Sequence, residues 1–374
     1  MNNTPELLSP AGDLDKMRFG IAYGADAVYM AGTRFGMRAA ATNFDDNALR
    51  EGIAYAHAHG VKCYITVNIM PSNRDLPALP AYLELLQDAG ADALIIADVG
   101  VLRMARRYAP KVPVHISTQT SILNHEAANY WADEGAERIV LARELSLEEI
   151  AEIRAKTPKE LEIEAFVHGA MCISYSGRCL ISQYMTGRDA NHGACAQPCR
   201  WNYSLMEEKR PGQFFPVEED GRGTYLYNSK DMCMIEHVPE LIEAGITSFK
   251  IEGRNKTAYY AACVTGAYRA AIDTYKKDPE NFVLPQFCRD EVNKVSHREY
   301  YTGFYFGNQE NGQHYGDSQY IREYEVVGMP VECDDSGKAV FALKNRFFDG
   351  EELELIQPGQ APYVFRAENV TDDE

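Results

Sequence analysis

The sequence predicts an α/β protein: a TIM-like (β/α)8 barrel with a Cys-rich insertion after its seventh strand and a small C-terminal β-domain. Three observations predict this architecture. Short apolar runs alternate with helical patterns eight times within about the first 276 residues. The runs do not alternate apolar with polar residues, which is typical of parallel strands covered on both faces. No G-x-G-x-x-G motif opens a helix, which disfavours an open doubly wound sheet, the alternative architecture.

The predicted barrel elements follow one another in a regular order. The strands cover residues 6–9, 27–31, 62–68, 93–97, 114–118, 138–142, 161–167 and 248–251. The helices cover residues 13–24, 45–59, 79–89, 101–108, 126–133, a segment that opens at 146, 235–244 and 257–276. Ser146 and Glu149 predict a capping box at the start of one helix. Four helices are followed by a glycine that suits a C-cap: Gly60, Gly90, Gly135 and Gly245.

The composition changes after the last barrel helix, which indicates three parts. Residues 1–280 are predicted to form the barrel, with the Cys-rich insertion at 168–233, and residues 281–317 a polar and aromatic connecting segment. Residues 318–374 are predicted to form an antiparallel β-domain. Its strands are expected at residues 320–322, 324–327, 338–344, 352–356 and 363–366. No closing strand is evident, so the sequence leaves open whether this domain is truncated.

The charge and the chain's N-terminus limit the classes of partner. The formal net charge is −18, which argues against broad nonspecific phosphate binding but is compatible with a local basic cleft. No apolar run approaches the length of a membrane span, and the first residues lack the features of a signal peptide. The sequence therefore predicts a soluble, cytoplasmic protein without a membrane partner. It does not decide between a monomer and a homo- or hetero-oligomer.

Five of the nine cysteines lie close together in the sequence: Cys172, Cys179, Cys195, Cys199 and Cys233. Inert buried thiols, disulfides and metal ligands are the competing interpretations, and disulfides are disfavoured in an intracellular chain. The spacings C-x6-C, C-x15-C and C-x3-C are not the paired C-x2-C knuckles of a structural zinc site. Cysteines spaced along a Gly-rich loop suit an iron–sulfur cluster better. Spacing alone leaves the cluster and a zinc or structural site both open.

Polar residues at the carboxyl ends of the barrel strands are the candidates for chemistry. Several guanidinium groups around one barrel mouth suit a carboxylate or phosphate substrate, although some of them could instead pair with nearby glutamates. No signature of a serine hydrolase, metalloprotease or cysteine protease is present. The candidates are His168, Glu252, Arg38, Arg143, Arg178 and Arg254.

Motifs along nearly the whole chain carry a resemblance to a known family. They are ELLSPAGD at 6–13, the loop FGMRA...NF at 35–44, EAFVHGAMCISYSGRCLIS at 164–182, NSKDMC at 228–233, SFKIEGR at 248–254 and KVSHREYYTGFYFG at 294–307. With these motifs the chain resembles the collagenase-like peptidase family, peptidase family U32. The last motif is most similar to the family's tRNA-hydroxylating branch.

The resemblance implies a barrel-like catalytic domain followed by a small β-domain. It also implies chemistry, because the better-understood members of the family are oxygen-independent hydroxylases that bind a [4Fe-4S] cluster and depend on prephenate. Some of them hydroxylate the wobble uridine of tRNA at carbon 5, one acts on ribosomal RNA, and a pair acts in ubiquinone synthesis. By this resemblance Cys172, Cys179, Cys195 and Cys233 match the cluster ligands, with Cys199 as a fifth candidate.

The leading hypothesis is an iron–sulfur enzyme that forms 5-hydroxyuridine in the anticodon loop of tRNA with prephenate as co-substrate. Arg178 and Arg254 would hold the carboxylates of the donor, and the other rim arginines, Arg38 and Arg143, would assist in binding it. His168 would move protons, and Glu252 is a further catalytic candidate. One alternative is a collagenase-like peptidase with structural or nucleophilic cysteines. The other is a non-catalytic binding module held together by zinc.

Overall fold

The computed structural model describes residues 4–37, 42–172, 174–201, 204–205, 215–216, 230–307 and 320–371. Eight parallel strands close into a barrel, because the last of them pairs with both the first and the seventh. The predicted fold class and all eight predicted strands are confirmed. The strands are β1 (Glu6–Pro10), β2 (Ala27–Met30), β3 (Lys62–Val67), β4 (Ala93–Ile96), β5 (Val114–Ile116), β6 (Arg138–Val140), β7 (Glu162–Ala170) and β11 (Ser248–Ile251).

Helices surround the barrel and bury their apolar faces against the strands. They are α1 (Leu14–Ala22), α2 (Asp46–Ala58), α3 (Leu79–Ala89), α4 (Val99–Tyr108), α5 (His125–Asp133), α6 (Leu147–Ala155), α8 (Val238–Glu243) and α9 (Ala258–Lys277). The predicted capping box of Ser146 and Glu149 is present at the start of α6. Within the described ranges, no helix is long and apolar enough to cross a membrane.

Two helical segments differ from the prediction. The segment expected at 235–244 begins as a 3-10 turn at Ile235–His237 and becomes α8 only at Val238, where Pro239 occupies the first turn. A further helix, α10 (Gln286–Lys294), lies where a connecting segment is expected. It buries only Cys288, Glu291 and Val292, so its apolar periodicity is too weak to stand out in the sequence.

The segment between β7 and β11 adds strands to one side of the barrel wall. It contains α7 (Ile181–Thr186) and two short strands, β8 (Ser204–Leu205) and β9 (Phe215–Pro216), which form a hairpin. The next strand, β10 (Asp231–Cys233), pairs antiparallel with the end of β7, and β12 (Tyr300–Tyr301) pairs in parallel with β10.

The first part of this insertion lies over the carboxyl ends of the barrel strands. The carbonyl of Asn191 accepts a hydrogen bond from the N–H of Met70, which follows β3, at 3.2 Å. Gly177 packs against Gln119, which follows β5, so closely that a Cβ at Gly177 would lie 3.2 Å from the Gln119 side chain. The insertion thus covers part of the barrel mouth, and α7 lies beside that mouth.

The C-terminal region forms two antiparallel hairpins, which confirms the predicted antiparallel β-structure here but not every predicted strand. They are β13 (Gly328–Cys333) with β14 (Ala339–Leu343), and β15 (Glu352–Leu355) with β16 (Tyr363–Arg366). The strands expected at 320–322 and 324–327 are wrong: this stretch is mostly exposed, and Ile321 makes a single bridge to His297. The sequence does not predict β13, because Gly328 and Pro330 weaken its strand pattern.

The lower half of the barrel interior is held by a buried network of charged groups. Nη1 of Arg138 lies 2.6 Å from Oε1 of Glu6 and 3.0 Å from Oε2 of Glu164. Ser248 and Tyr64 also donate to Glu6. Burial alone would raise the pKa of Glu6, yet Arg138 and these hydroxyl groups together hold it below its ordinary value. The network closes the barrel at this end, so the space for a ligand is at the opposite end.

Candidate active site

A cavity of about 140 Å³ lies at the carboxyl ends of the barrel strands and extends down to the strands themselves. We call it the inner cavity. The barrel contributes strand and loop residues, and the insertion contributes cysteines and α7. The residues that matter most for its chemistry are Thr66, Gln119, Arg143, Lys250, Glu252 and Arg254 from the barrel, with Cys172, Cys179, Cys195 and Cys199 from the insertion. This is the position at which barrel enzymes generally place their active sites.

A second cavity of about 410 Å³, the outer cavity, shares a wall with the inner one. The residues that line both are Arg143, Cys172, Cys195, Cys199 and Glu252. The outer cavity contains none of the mid-strand residues that line the inner cavity, and it is bounded instead by the loop after β11 and by the linker to the C-terminal hairpins. Three thiols of the insertion, those of Cys172, Cys195 and Cys199, therefore belong to the wall that the two cavities share.

Four of the five predicted ligands are brought together at the inner cavity. Cys172, Cys179, Cys195 and Cys199 all line it, all four are outside disulfides, and all four are at least partly exposed. Cys233 lies in β10, where it pairs with His168, and it is not among the described residues that line either cavity. The geometry therefore favours Cys199 over Cys233 as the fourth member of the set.

The four thiols of the inner cavity match in number the ligands of an iron–sulfur cluster. In the described part of the chain, no group of three or more His, Cys, Asp or Glu side chains is gathered closely enough to hold one ion. Because an iron–sulfur cluster is larger than a single ion, its four thiolates lie farther apart than the ligands of one ion. Four thiols around one cavity are therefore the arrangement to look for.

Arg143 and Glu252 form an ion pair in the shared wall of the two cavities. Nη2 of Arg143 lies 3.0 Å from Oε2 of Glu252, and Nη1 donates to the carbonyl of Ala170 at 2.8 Å. The guanidinium carbon lies 3.7 Å from the centre of the Phe166 ring. Arg143 is thus fixed at the mouth by three contacts, and the alternative in which it pairs with a glutamate holds for this residue.

A glycine allows the end of β7 to approach Glu252 closely. The N–H of Glu252 donates to the carbonyl of His168 at 2.9 Å. Next to it, Gly169 has φ +107°, and a Cβ there would lie 2.4 Å from the carbonyl oxygen of Glu252. Only glycine fits this backbone conformation and this close approach. The local sequence His-Gly at the end of β7 therefore positions Glu252 at the cavity wall.

The other predicted arginines occupy three different environments. Arg254 is buried, lines the inner cavity and donates from Nη1 to Oγ1 of Thr66 at 3.1 Å. Arg178 is exposed on the insertion, and it is not among the described residues that line either cavity. Arg38 lies outside the described residues. The structure thus brings Arg143 and Arg254 together at the inner cavity but places Arg178 elsewhere.

His168 lies behind the cavity wall. Its ring packs among the rings of Tyr260, Tyr268 and Tyr300, and its Nε2 lies 3.3 Å from the hydroxyl oxygen of Tyr300. Burial lowers the pKa of His168 to about 3, so the imidazole is neutral. His168 is not among the described residues that line the two cavities. Its position favours the structural alternative over the predicted role in moving protons.

Lys250 is a candidate functional residue that the sequence prediction does not include. It lies in β11 with its side chain almost fully buried, and it lines the inner cavity. Its Nζ lies 2.6 Å from Oε1 of Glu164 and 4.4 Å from the centre of the Tyr29 ring. A lysine in the middle of the apolar run SFKI is the signal that could have identified it, because unpaired lysines are almost never buried.

Comparison with known proteins identifies the family. The chain is 40% identical over 372 residues to "tRNA hydroxylation protein P1" of Bacillus subtilis, which covers 99% of this chain and 87% of that protein. It is 38% identical to "tRNA hydroxylation protein P" of Escherichia coli, covering 95% of this chain and 86% of that protein. It is also 40% identical to "23S rRNA 5-hydroxycytidine C2501 synthase" of Escherichia coli, covering 87% of this chain and 48% of that protein. Residues 12–315 match Peptidase family U32 and residues 322–374 match the Peptidase family U32 C-terminal domain, so the chain belongs to peptidase family U32.

Proposed function

We propose that this protein is an iron–sulfur hydroxylase that forms 5-hydroxyuridine at the wobble position of tRNA, with prephenate or a similar carboxylate as co-substrate. The observation that carries the proposal is the set of four thiols around a cavity at the catalytic end of the barrel. The match covers 87% and 86% of the two relatives named as tRNA hydroxylation proteins. It covers only 48% of the relative named as an rRNA synthase. These matches favour tRNA as the substrate class.

The four cysteines of the inner cavity would hold the cluster. They are Cys172, Cys179, Cys195 and Cys199, which come from the insertion and face the barrel residues across the cavity. When bound, such a cluster supplies one-electron redox chemistry. The protein's own contribution is to keep Cys172, Cys195 and Cys199 in the same wall as Arg143 and Glu252, which both cavities share.

The inner cavity suits a small anion. Three cationic side chains line it, namely Arg143, Lys250 and Arg254, and Glu252 is the one carboxylate among its described lining residues. Guanidinium groups are well suited to bind carboxylates through two parallel hydrogen bonds. Arg254 is held in place by Thr66, so its fork is oriented before a ligand arrives. These features support a carboxylate co-substrate at this position.

The outer cavity offers a place for the base that is modified. It is larger than the inner cavity, and Lys256 and Tyr320 line it together with three of the cysteines. Enzymes that modify a base must take it out of the stack, and the bases of an anticodon loop are already unpaired, so the cost of extrusion is low. This arrangement would place the base and the carboxylate on opposite sides of the thiols.

The proposal is tested by mass spectrometry of tRNA nucleosides from a strain that lacks the gene. We expect 5-hydroxyuridine and the nucleosides derived from it to disappear and to return with the wild-type gene but not with the Cys195→Ser gene. Unchanged levels of these nucleosides in the deletion strain would refute the proposal. Cleavage of gelatin by iron-free protein, retained in Cys179→Ala, would instead support the peptidase alternative.

A further inference from the structure

The insertion exposes a group of large apolar side chains on and around α7. Tyr184 is 85% exposed, the highest value among the large apolar side chains that the structure describes. Met185 beside it, Leu180 before the helix and Tyr175 in the preceding loop are also exposed. These residues are close together in the chain, and exposed apolar side chains that cluster often mark a surface that binds a partner. We call these four residues the α7 surface.

The α7 surface belongs to the structure that covers the barrel mouth. Ile181, in the first turn of α7, lines the inner cavity, as do Cys179 and Gly177 just before the helix. One side of this short segment therefore faces the candidate active site, while Tyr184 and Met185 face solvent. A molecule that lies on the α7 surface is held next to the mouth through which a substrate must enter.

The segment that carries the α7 surface has a formal charge opposite in sign to that of the whole chain. Residues 171–201 contain three arginines and one aspartate, although the formal net charge of the protein is −18. Arg178 and Arg188 are exposed, and Nε of Arg188 donates to the carbonyl of Ala194 at 3.0 Å. Aromatic rings interspersed with arginines are the combination that binds unpaired nucleic acid, through stacking and phosphate contacts.

The other exposed apolar area lacks this charge. The C-terminal hairpins expose several large side chains, among them Phe341, Leu343 and Phe365. Residues 320–371, however, contain ten carboxylate side chains against five lysines and arginines, so this region would repel a phosphate backbone. Between the two apolar areas, charge complementarity favours the α7 surface for RNA.

We propose that the α7 surface is the platform on which the unpaired loop of the substrate RNA lies, with one base stacked on Tyr184 and the adjacent phosphates near Arg178 and Arg188. This rests on the proposed function only in taking RNA as the substrate. Stacking on tyrosine tolerates any base, so the platform would contribute to affinity more than to the choice of base. The choice of base belongs to the cavities at the mouth.

The test compares full-length variants for binding a fluorescently labelled hairpin RNA with an unpaired loop, followed by fluorescence anisotropy at fixed salt. We expect Tyr184→Ala to weaken binding by about fivefold or more, as stacking contributions usually require, and Tyr184→Phe to bind like the wild type. Arg178→Ala should reduce the salt dependence of binding by about one phosphate contact. Tyr130→Ala, at an exposed aromatic on α5 on the outside of the barrel, is the matched control and should bind normally.

Binding by Tyr184→Ala within about twofold of the wild type would overturn the proposal, since a stacked base contributes more than that. Loss of self-association in Tyr184→Ala with unchanged RNA affinity would also overturn it and would assign the surface to a protein interface. The readout is independent of catalysis. If Tyr184→Ala weakens RNA binding but the deletion strain keeps its 5-hydroxyuridine-derived nucleosides, the α7 surface is supported as an RNA-binding platform and the proposed function fails.

Discussion

Nζ of Lys250 lies 2.6 Å from Oε1 of Glu164, and both side chains are almost fully buried inside the barrel. Glu164 also contacts Arg138, so this carboxylate joins the lysine that lines the inner cavity to the charged network of the barrel interior. Breaking one partner of a buried ion pair leaves the other without full compensation, and this costs about 3–5 kcal/mol. The pair therefore determines both the stability of the barrel and the charge of the cavity.

Replacing Lys250 by methionine should lower the free energy of unfolding by about 3 kcal/mol. This is the low end of the range for a broken buried pair, because Arg138 still contacts Glu164. The double variant Lys250→Met with Glu164→Gln should recover at least about 1 kcal/mol of this loss, since no carboxylate is then left uncompensated. Urea unfolding of both variants measures the effect. A single variant within about 0.5 kcal/mol of the wild type would contradict it, because that range is typical of surface substitutions.

Iron binding should depend on the four cysteines of the inner cavity and not on Cys233. Serine at Cys195 or Cys199 removes a thiolate from the shared wall, so we expect iron and sulfide per chain to fall sharply after anaerobic purification. Cys233→Ser should retain its iron. The control is Cys333→Ser, at an exposed thiol in β13. Equal loss of iron in Cys233→Ser and Cys195→Ser would show that the fourth ligand has been assigned wrongly.

Arg254→Ala should raise the KM for the carboxylate co-substrate by about tenfold or more, because a hydrogen bond to a charged group contributes about 1.5–3 kcal/mol. The KM for tRNA should change little, since Arg254 lines the inner cavity and not the outer one. Steady-state kinetics with each substrate varied in turn separates the two effects. Arg106→Ala, which breaks a surface ion pair with Glu134, is the control. An equal rise in both KM values would contradict this assignment.

His168 should make the protein less stable as the pH falls. Its folded-state pKa of about 3 lies below the ordinary value of 6.5, so the unfolded chain binds a proton that the folded chain does not. The contribution of neutral His168 to the free energy of unfolding is fully present above pH 6.5. Below that pH it falls by about 1.4 kcal/mol per pH unit, until about pH 3. Unfolding of wild type and His168→Asn between pH 7 and 5 should show a shallower decline in the variant. Parallel curves would mean that His168 is not the group responsible.

Much of the fold follows from local patterns in the sequence. The barrel strands are continuous apolar runs, because both their faces are buried, and the Ser146 capping box is a signal between neighbouring residues. In contrast, α10 and β13 are stabilised by contacts that their own composition does not reveal. Predictions were therefore most accurate where the information was local.

The site could be predicted only in part, because the spacing of residues along the chain does not show which of them meet in the folded protein. The sequence leaves open whether Cys199 or Cys233 is the fourth ligand, but β10 runs antiparallel to β7 and pairs Cys233 with His168, so that Cys233 is not among the described residues that line the cavities. Lys250 is not among the predicted site residues because the apolar run SFKI does not show which partner a lysine inside it meets. The register of β11 against β7 brings it to Glu164.

The wall shared by the inner and outer cavities, which contains Cys172, Cys195 and Cys199, has a kinetic consequence. Under the proposed function the carboxylate would occupy the inner cavity and the base the outer one, so both would be bound at the same time. Turnover would then proceed through a complex that contains the protein, the carboxylate and the RNA together.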